Sequence, residues 1–235
     1  MLSDSQVELF HQQGFLVLPS ALSHGEQLVL ANTCDQLLAE PPDDDLGGKA
    51  HDIGRGQDRR FLRHRHADFP ALEAFVLGQR MKALVGPLLG GNAHLFNEQF
   101  VVKGPKTGAA FGWHQDSGYV GFDHPPYVSA WMAIDDITPE NGPLSVLPRN
   151  LRTQCGIEPH VWDEQAKEYV GYSGDEPGVG AVVPRGSVVL FSSLTLHRSS
   201  PNTSAAPRRA YLAQYSNGPV IDPATGQPKR FATRL

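Results

Sequence analysis

From residue 94 onward the chain is a series of short extended runs, each closed within about ten residues by Gly, Pro or Asn. The runs are His94 to Lys103, Tyr127 to Asp135, Leu144 to Leu147, Ser187 to Phe191 and Arg208 to Tyr215, with turns such as Asn141-Gly142 between them. Gly (24) and Pro (19) make about 18% of the 235 residues, against an average near 12%, and such punctuation favours many short strands over long helices. The first 90 residues have a different texture. Asp4 to Gln13 reads as a helix broken by Gly14, and Phe15 to Leu18 as a strand ending at Pro19. Ser23 and Glu26 form a capping box ahead of Leu28, Leu30, Leu37 and Leu38. Asp68 is expected to cap a helix over Phe69 to Leu77, and a further apolar stretch runs from Met81 to Leu89 before Gly90-Gly91. Helices followed by antiparallel strands predict an α+β chain, mainly β, whose catalytic part is a β-sandwich or jelly roll.

One domain over residues 1–235 is expected. Residues 1–90 serve as mainly helical support, 91–217 as the jelly-roll core and 218–235 as a surface strap. Residues 40–58 have no period and read as a mobile loop. Residues 151–186, acidic and holding Trp162, Tyr169 and Tyr172, read as a lid-like insertion. A net charge of −5 gives no reason to expect nucleic acid or an anionic membrane as partner. Cys34 and Cys155 make no disulfide framework. Asp4 and Glu8 stand where a secretory signal would be apolar, and no run approaches membrane-span length, so a cytoplasmic protein is expected.

No phosphate loop, dinucleotide fingerprint or Gly-x-Ser-x-Gly is present, which leaves the ten histidines to carry any chemistry. His114-Gln115-Asp116 places two ligands where a strand end or tight turn brings both onto one metal, and His with carboxylate is a non-haem Fe(II) ligand set. Chance alone supplies about 0.6 His-x-Asp pairs in this composition, so the pair carries little weight by itself. The competing His66-Ala67-Asp68 and His24-Gly25-Glu26 have helix-start explanations. Phe111, Trp113 and Tyr119 flank the pair in a small-and-aromatic loop of the kind that lines a pocket mouth, and they are candidate substrate contacts. A third ligand could be His124, His160 or His197, and only His197 follows a β-rich run.

The order of features then narrows the reading: His114-x-Asp116, Ala130-Trp131, Asn141-Gly142-Pro143-Leu144, His197-Arg198-Ser199, and Arg208 eleven residues after His197. In this order the chain resembles the phytanoyl-CoA dioxygenase family of Fe(II)- and 2-oxoglutarate-dependent oxygenases, which includes ectoine hydroxylase. The likeness runs from Gln6 to Tyr215 and is most specific between Gln99 and Arg208. It implies a double-stranded β-helix, jelly-roll or cupin-like, with His114, Asp116 and His197 holding iron. It also implies Arg208 on the distal carboxylate of 2-oxoglutarate, Ser199 on the same carboxylate, and Gln99 and Trp131 as further co-substrate contacts. Arg209 is the alternative anchor, and strand alternation allows only one of the two to face inward. The family reaction consumes O₂ and 2-oxoglutarate, releases succinate and CO₂, and hydroxylates an unactivated C–H bond. A small-molecule substrate in secondary metabolism is therefore expected.

Asp116 speaks against halogenation, since related halogenases carry a small residue there. The acidic insertion speaks against an acyl-CoA. The basic run Arg55, Arg59, Arg60, Arg63, His64, Arg65 reads as a mostly solvated face with at most one arginine reaching the pocket. Two competing readings remain: a metal-dependent β-sandwich enzyme without 2-oxoglutarate, which would need neither Arg208 nor Ser199, and a non-catalytic small-molecule binder, which would not need all three ligands.

Overall fold

The computed structural model describes residues 1–40, 52–53, 59–106 and 108–235. The loop expected over 40–58 and the position of Arg55 lie almost wholly outside these residues. Four helices are present among them: α1 (Asp4–Gln13), α2 (His24–Ala39), α3 (Pro70–Val76) and α4 (Gln79–Val85). The strands are β1 (Phe15–Leu18), β2 (Asp52–Ile53), β3 (Arg59–Arg63), β4 (His94–Lys103), β5 (Phe111–His114), β6 (Val128–Ala133) and β7 (Leu144–Val146). They continue with β8 (Val161–Asp163), β9 (Glu168–Val170), β10 (Val179–Gly180), β11 (Val188–Ser192), β12 (His197–Ser199), β13 (Arg208–Ser216) and β14 (Thr233–Arg234).

Local chemistry explains the helix boundaries. Both α1 and α2 begin in complete capping boxes, Ser3 with Gln6 and Ser23 with Glu26, so two orphan backbone donors are satisfied at each start. Gly14 ends α1 at φ +82°, and a Cβ there would lie 2.6 Å from the Thr195 hydroxyl oxygen, so the turn into β1 requires glycine. The expected Asp68 cap is not formed. Phe69 occupies the N-cap of α3, and Asp68 sits in a single 3₁₀ turn where its carboxylate accepts from Arg65. Pro70 at the first helical position needs no capped N–H, which leaves the aspartate available to the arginine.

Among the described residues the strands form two large antiparallel sheets, in the orders β1-β11-β6-β13-β4-β3-β2, with β14 also on β4, and β10-β7-β12-β5, and a third, two-stranded one, β8-β9. This is the predicted jelly-roll arrangement. Alternation along the large sheet assigns its two faces. On β13, Tyr211, Ala213 and Tyr215 join the cluster beneath the helices, which includes Leu30, Leu37, Leu72 and Met81. Arg208, Leu212 and Gln214 face the other way, into a cavity between the sheets. On β6, Ala130 and Met132 go to the helices while Ser129 and Trp131 go inward.

Four further sequence expectations change here. Residues 111–114 are strand β5 rather than loop. The basic run contains β3, where Arg59, Phe61 and Arg63 share the cavity face and Leu62 packs under the helices. The insertion holds the β8–β9 hairpin and β10, and Glu168 is buried in it. The tail is more than a surface strap, since β14 pairs with β4 and Arg230 reaches the cavity.

Candidate active site

His197 on β12 pairs directly with His114 on β5, but two residues later Ser199 pairs with Phe111, three residues away. The extra residue is a bulge in β5, and it turns both Phe111 and His114 toward the cavity where simple alternation would separate them. Trp113 is turned out. It does not line the cavity, contrary to the expectation, and packs instead under the Arg198 guanidinium at 4.6 Å. Phe111 and Tyr119 do line it.

After β5 the chain enters a 3₁₀ turn, Asp116–Tyr119, which folds the carboxylate back toward the two imidazoles. Asp116 Oδ1 lies 4.0 Å from His114 Nε2 and 3.7 Å from His197 Nε2, and all three side chains are buried. Bonds of about 2.1 Å to one ion require separations of this order or less. The tautomers suit a metal as well. His114 Nδ1–H donates to the Gly112 carbonyl at 2.8 Å and His197 Nδ1–H to that of Thr195 at 3.0 Å, so both Nε2 lone pairs face the shared centre. Burial, with His197 beside it, holds the His114 pKa well below the usual histidine range, which keeps the ring neutral for ligation. Asp116 Oδ2 accepts from the Ser129 hydroxyl at 2.5 Å. Ser129 accepts from Gln214, Gln214 accepts from Asn97, and Asn97 Oδ1 accepts from both His64 and Arg230. The sequence reading missed this chain, although Ser129 and Gln214 share inward parity with Trp131 and Arg208.

The two other candidates for the third ligand are engaged elsewhere. His160 Nε2 accepts the Gln115 N–H at 2.9 Å, and His124 stacks on Tyr127.

Arg208 and Arg209 separate as alternation requires. Arg209 faces the helices and pairs with Asp135 and Asp35, at 2.6 Å to each. Arg208 is 1% exposed in the cavity wall, and among the described residues only its Nη2 has a hydrogen-bond partner, the Gly142 carbonyl at 3.1 Å. Its Nε and Nη1 have none. Burial brings its pKa down to about 10, against a smaller opposing pull from Asp135. A buried guanidinium with two unmatched donors in a cavity wall fits a bidentate carboxylate ligand. Gln99, Trp131 and Ser199 line the same cavity, with the Trp131 ring 5.7 Å from the Arg208 guanidinium carbon. Lys103, unremarked in the sequence, is fully buried behind this wall and donates to the Ser199 and Ser200 carbonyls. Burial, with Arg208 and Arg59 nearby, pushes its pKa down to about 6.

The cavity encloses about 420 Å³. Its outer rim is the β8–β9 hairpin, which contributes Trp162 and Lys167. Glu168 fastens the hairpin, accepting from the Gly112 N–H at 2.7 Å and from Arg59 at 2.9 Å. Tyr119 adds a second tie, its hydroxyl accepting from the Tyr169 N–H at 3.0 Å.

A jelly roll with a buried His-Asp-His cluster beside a carboxylate-seeking arginine is the site of an Fe(II)- and 2-oxoglutarate-dependent dioxygenase. Residues 10–210 match the phytanoyl-CoA dioxygenase family, and the chain belongs to it. It is similar to L-proline trans-4-hydroxylase of Streptomyces griseoviridis, 28% identical over 92% of this chain and 86% of that one. The methylphosphonate hydroxylase of Gimesia maris is 26% identical over 92% and 81%. Among solved structures, EvdO2 of Micromonospora carbonacea var. aurantiaca complexed with 2-oxoglutarate superposes with a TM-score of 0.76 at 23% identity, covering 97% of this chain and 96% of that one. No helix among the described residues is long and apolar enough to cross a membrane.

Proposed function

We propose that this chain hydroxylates an unactivated C–H bond of a small molecule, with His114, Asp116 and His197 holding Fe(II) and Arg208 anchoring 2-oxoglutarate. The observation that carries the reading is the Arg208 guanidinium, buried in the same cavity as the triad with its Nε and Nη1 unmatched among the described residues. An enzyme of this ligand set without a keto acid has no use for that charge, and a degenerate binder has no use for all three ligands. The bound iron, 2-oxoglutarate and O₂ supply the oxidant, with succinate and CO₂ released.

The protein's part is placement. Arg208 fixes one end of the co-substrate, and Ser199, which lines the same cavity, serves as a second donor. The Ser129 hydroxyl occupies one carboxylate oxygen of Asp116, which leaves Oδ1 for the metal. Phe111, Tyr119 and Trp162 wall the remaining space, and the hairpin carrying Trp162 serves as the lid that excludes water from the reacting centre. Relatives named for hydroxylation of proline and of methylphosphonate support a small substrate.

Anaerobic titration of Fe(II)-loaded protein with 2-oxoglutarate tests the reading through the weak visible charge-transfer band of a chelated keto acid. The band is expected in the wild type and absent in His197→Ala. Iron binding without the band would favour an enzyme that works without the keto acid, and failure to bind iron would favour the binder.

A further inference from the structure

A line of hydrogen bonds joins the C-terminal tail to the metal cluster, and all of its bonds run one way. Asn97 on β4 pairs with Gln214 on β13, and Gln214 with Ser129 on β6, so one rung of the large sheet carries the three side chains into the interior. Along this rung Asn97 Nδ2 donates to Gln214 Oε1 at 2.8 Å, Gln214 Nε2 to Ser129 Oγ at 3.2 Å, and the Ser129 hydroxyl to Asp116 Oδ2 at 2.5 Å. At the outer end Asn97 Oδ1 meets Arg230 Nη1 and His64 Nε2, each at 2.7 Å. The tail is fastened at this point. Phe231 donates its N–H to the Phe96 carbonyl, and its ring packs on His64 and His66 at 5.0 and 4.8 Å between centroids.

The direction is not a property of the rung itself. An amide presents oxygen or nitrogen to either neighbour, and a serine hydroxyl rotates, so Asn97, Gln214 and Ser129 each have two orientations. With all three reversed, Ser129 would donate to Gln214, Gln214 to Asn97, and Asn97 to His64, and the rung would lose no bond. His64 does not prevent this. Burial holds its pKa below the usual histidine range, and a neutral imidazole carries its one proton on either nitrogen. Reversal would harm Asp116 instead, because Ser129 Oγ would turn a lone pair toward Oδ2 and the carboxylate would lose its donor. Arg230 blocks that arrangement. A guanidinium only donates and keeps its charge, so the Asn97 atom facing it must be Oδ1, and the orientations of Asn97, Gln214 and Ser129 follow in turn.

We propose that Arg230 is a positioning residue of the metal site: as the obligate donor at the outer end, it sets the direction of the Asn97–Gln214–Ser129 line, which keeps the Ser129 proton on Asp116 Oδ2 and leaves Oδ1 for the metal. The inference rests on the proposed function, because it takes the triad as the metal site. It makes metal affinity depend on a residue of the tail that touches none of the three ligands through a listed bond of its own, and it assigns His64 the tautomer with its proton on Nε2, the form that donates to Asn97 Oδ1.

Two measurements test it together. Long-range proton–nitrogen correlation NMR of the metal-free protein reads the His64 tautomer, which a merely structural role for Arg230 would not move. The Nε2–H form is expected in the wild type and in Arg230→Lys, whose ammonium also only donates, and a shift toward the Nδ1–H form is expected in Arg230→Met. Anaerobic calorimetric titration with Fe(II) reads the consequence at the ligands. Affinity is expected to fall about tenfold in Arg230→Met and to be largely kept in Arg230→Lys. Any of four results would overturn the inference: a wild-type His64 in the Nδ1–H form, a tautomer unmoved by Arg230→Met, Fe(II) affinity unmoved by Arg230→Met, or equal loss of affinity in the Lys and Met variants. The first of these needs no variant to fold. Wild-type protein that binds no Fe(II) overturns the proposed function instead, whatever the tautomer.

Discussion

Asp116 shows how little of a metal site lies in its ligands alone. Its carboxylate is aimed by Ser129, which is held by Gln214, which is held by Asn97. Removing a group that orients a ligand typically costs 10–100-fold in metal affinity. Ser129→Ala is therefore expected to weaken Fe(II) binding by about that factor, whereas His114→Ala or Asp116→Ala abolishes iron-dependent turnover with the circular dichroism spectrum unchanged. Turnover that survives Asp116→Ala would remove the triad assignment. Arg208 and Arg209 give a second contrast at this scale. Arg208→Ala is expected to raise the 2-oxoglutarate requirement at least a hundredfold, since a buried bidentate charge pair contributes several kcal/mol. Arg209→Ala is expected to leave that requirement alone and to cost about 1 kcal/mol of stability through its half-exposed ion pairs. The reverse ordering in steady-state kinetics would move the anchor to Arg209.

Among the elements, the β8–β9 hairpin depends on one buried acid. Glu168 bridges Arg59 on β3 and the backbone of β5, so three strands from distant parts of the sequence meet at its carboxylate. With Glu168→Ala the Arg59 charge stays buried without its partner, a change that costs about 3–5 kcal/mol if the structure does not relax. Relaxation would take the form of hairpin opening. Either way, amide exchange over residues 158–172 is expected to accelerate and the melting temperature to fall. Unchanged exchange and unchanged melting would show that the hairpin stands without this tie. The bulge in β5 acts at the same scale, because it brings Phe111 onto the cavity face beside His114, which simple alternation would not do.

Across the whole molecule, buried basic groups make stability depend on pH. His114 and His64 both have pKa values lowered by burial, so they stay neutral in the folded state where the unfolded chain takes up protons below about pH 6.5. The unfolded state then binds more protons, and stability of the metal-free protein falls as pH drops from 6.5 toward 5, by up to about 1.4 kcal/mol per unit for each group. Lys103 has the same sign above pH 6: folded and near 6 it is neutral there, while unfolded it holds its proton to about pH 10.4. Urea midpoints of metal-free protein at pH 5, 6, 7 and 8 are expected to rise throughout. A flat profile would mean that these groups are hydrated in the folded state.

Local chemistry was legible from the sequence wherever one segment decides it. The capping box at Ser23, the break at Gly14, the order of helices and strands, and the His-x-Asp pair are all properties of adjacent residues. Alternation along one strand sufficed to send Arg208 and Arg209 to opposite faces. Wherever two segments must meet, the sequence was silent or misleading. Asp68 was claimed by Arg65 instead of the helix, the bulge turned Phe111 inward while Trp113 stayed opposite His114, and the basic run became an inner strand carrying Arg59 and Arg63 into the cavity. Arg230 lies in an irregular tail with no period to mark its direction, and the backbone bond of Phe231 to Phe96, with the pairing of β14 and β4, delivers it to Asn97. The physical reason is the range of the interactions: propensity, capping and alternation act over a few residues along the chain. The charge balance of a cavity is summed over side chains separated by well over a hundred positions, and it is fixed only when the sheets close around it.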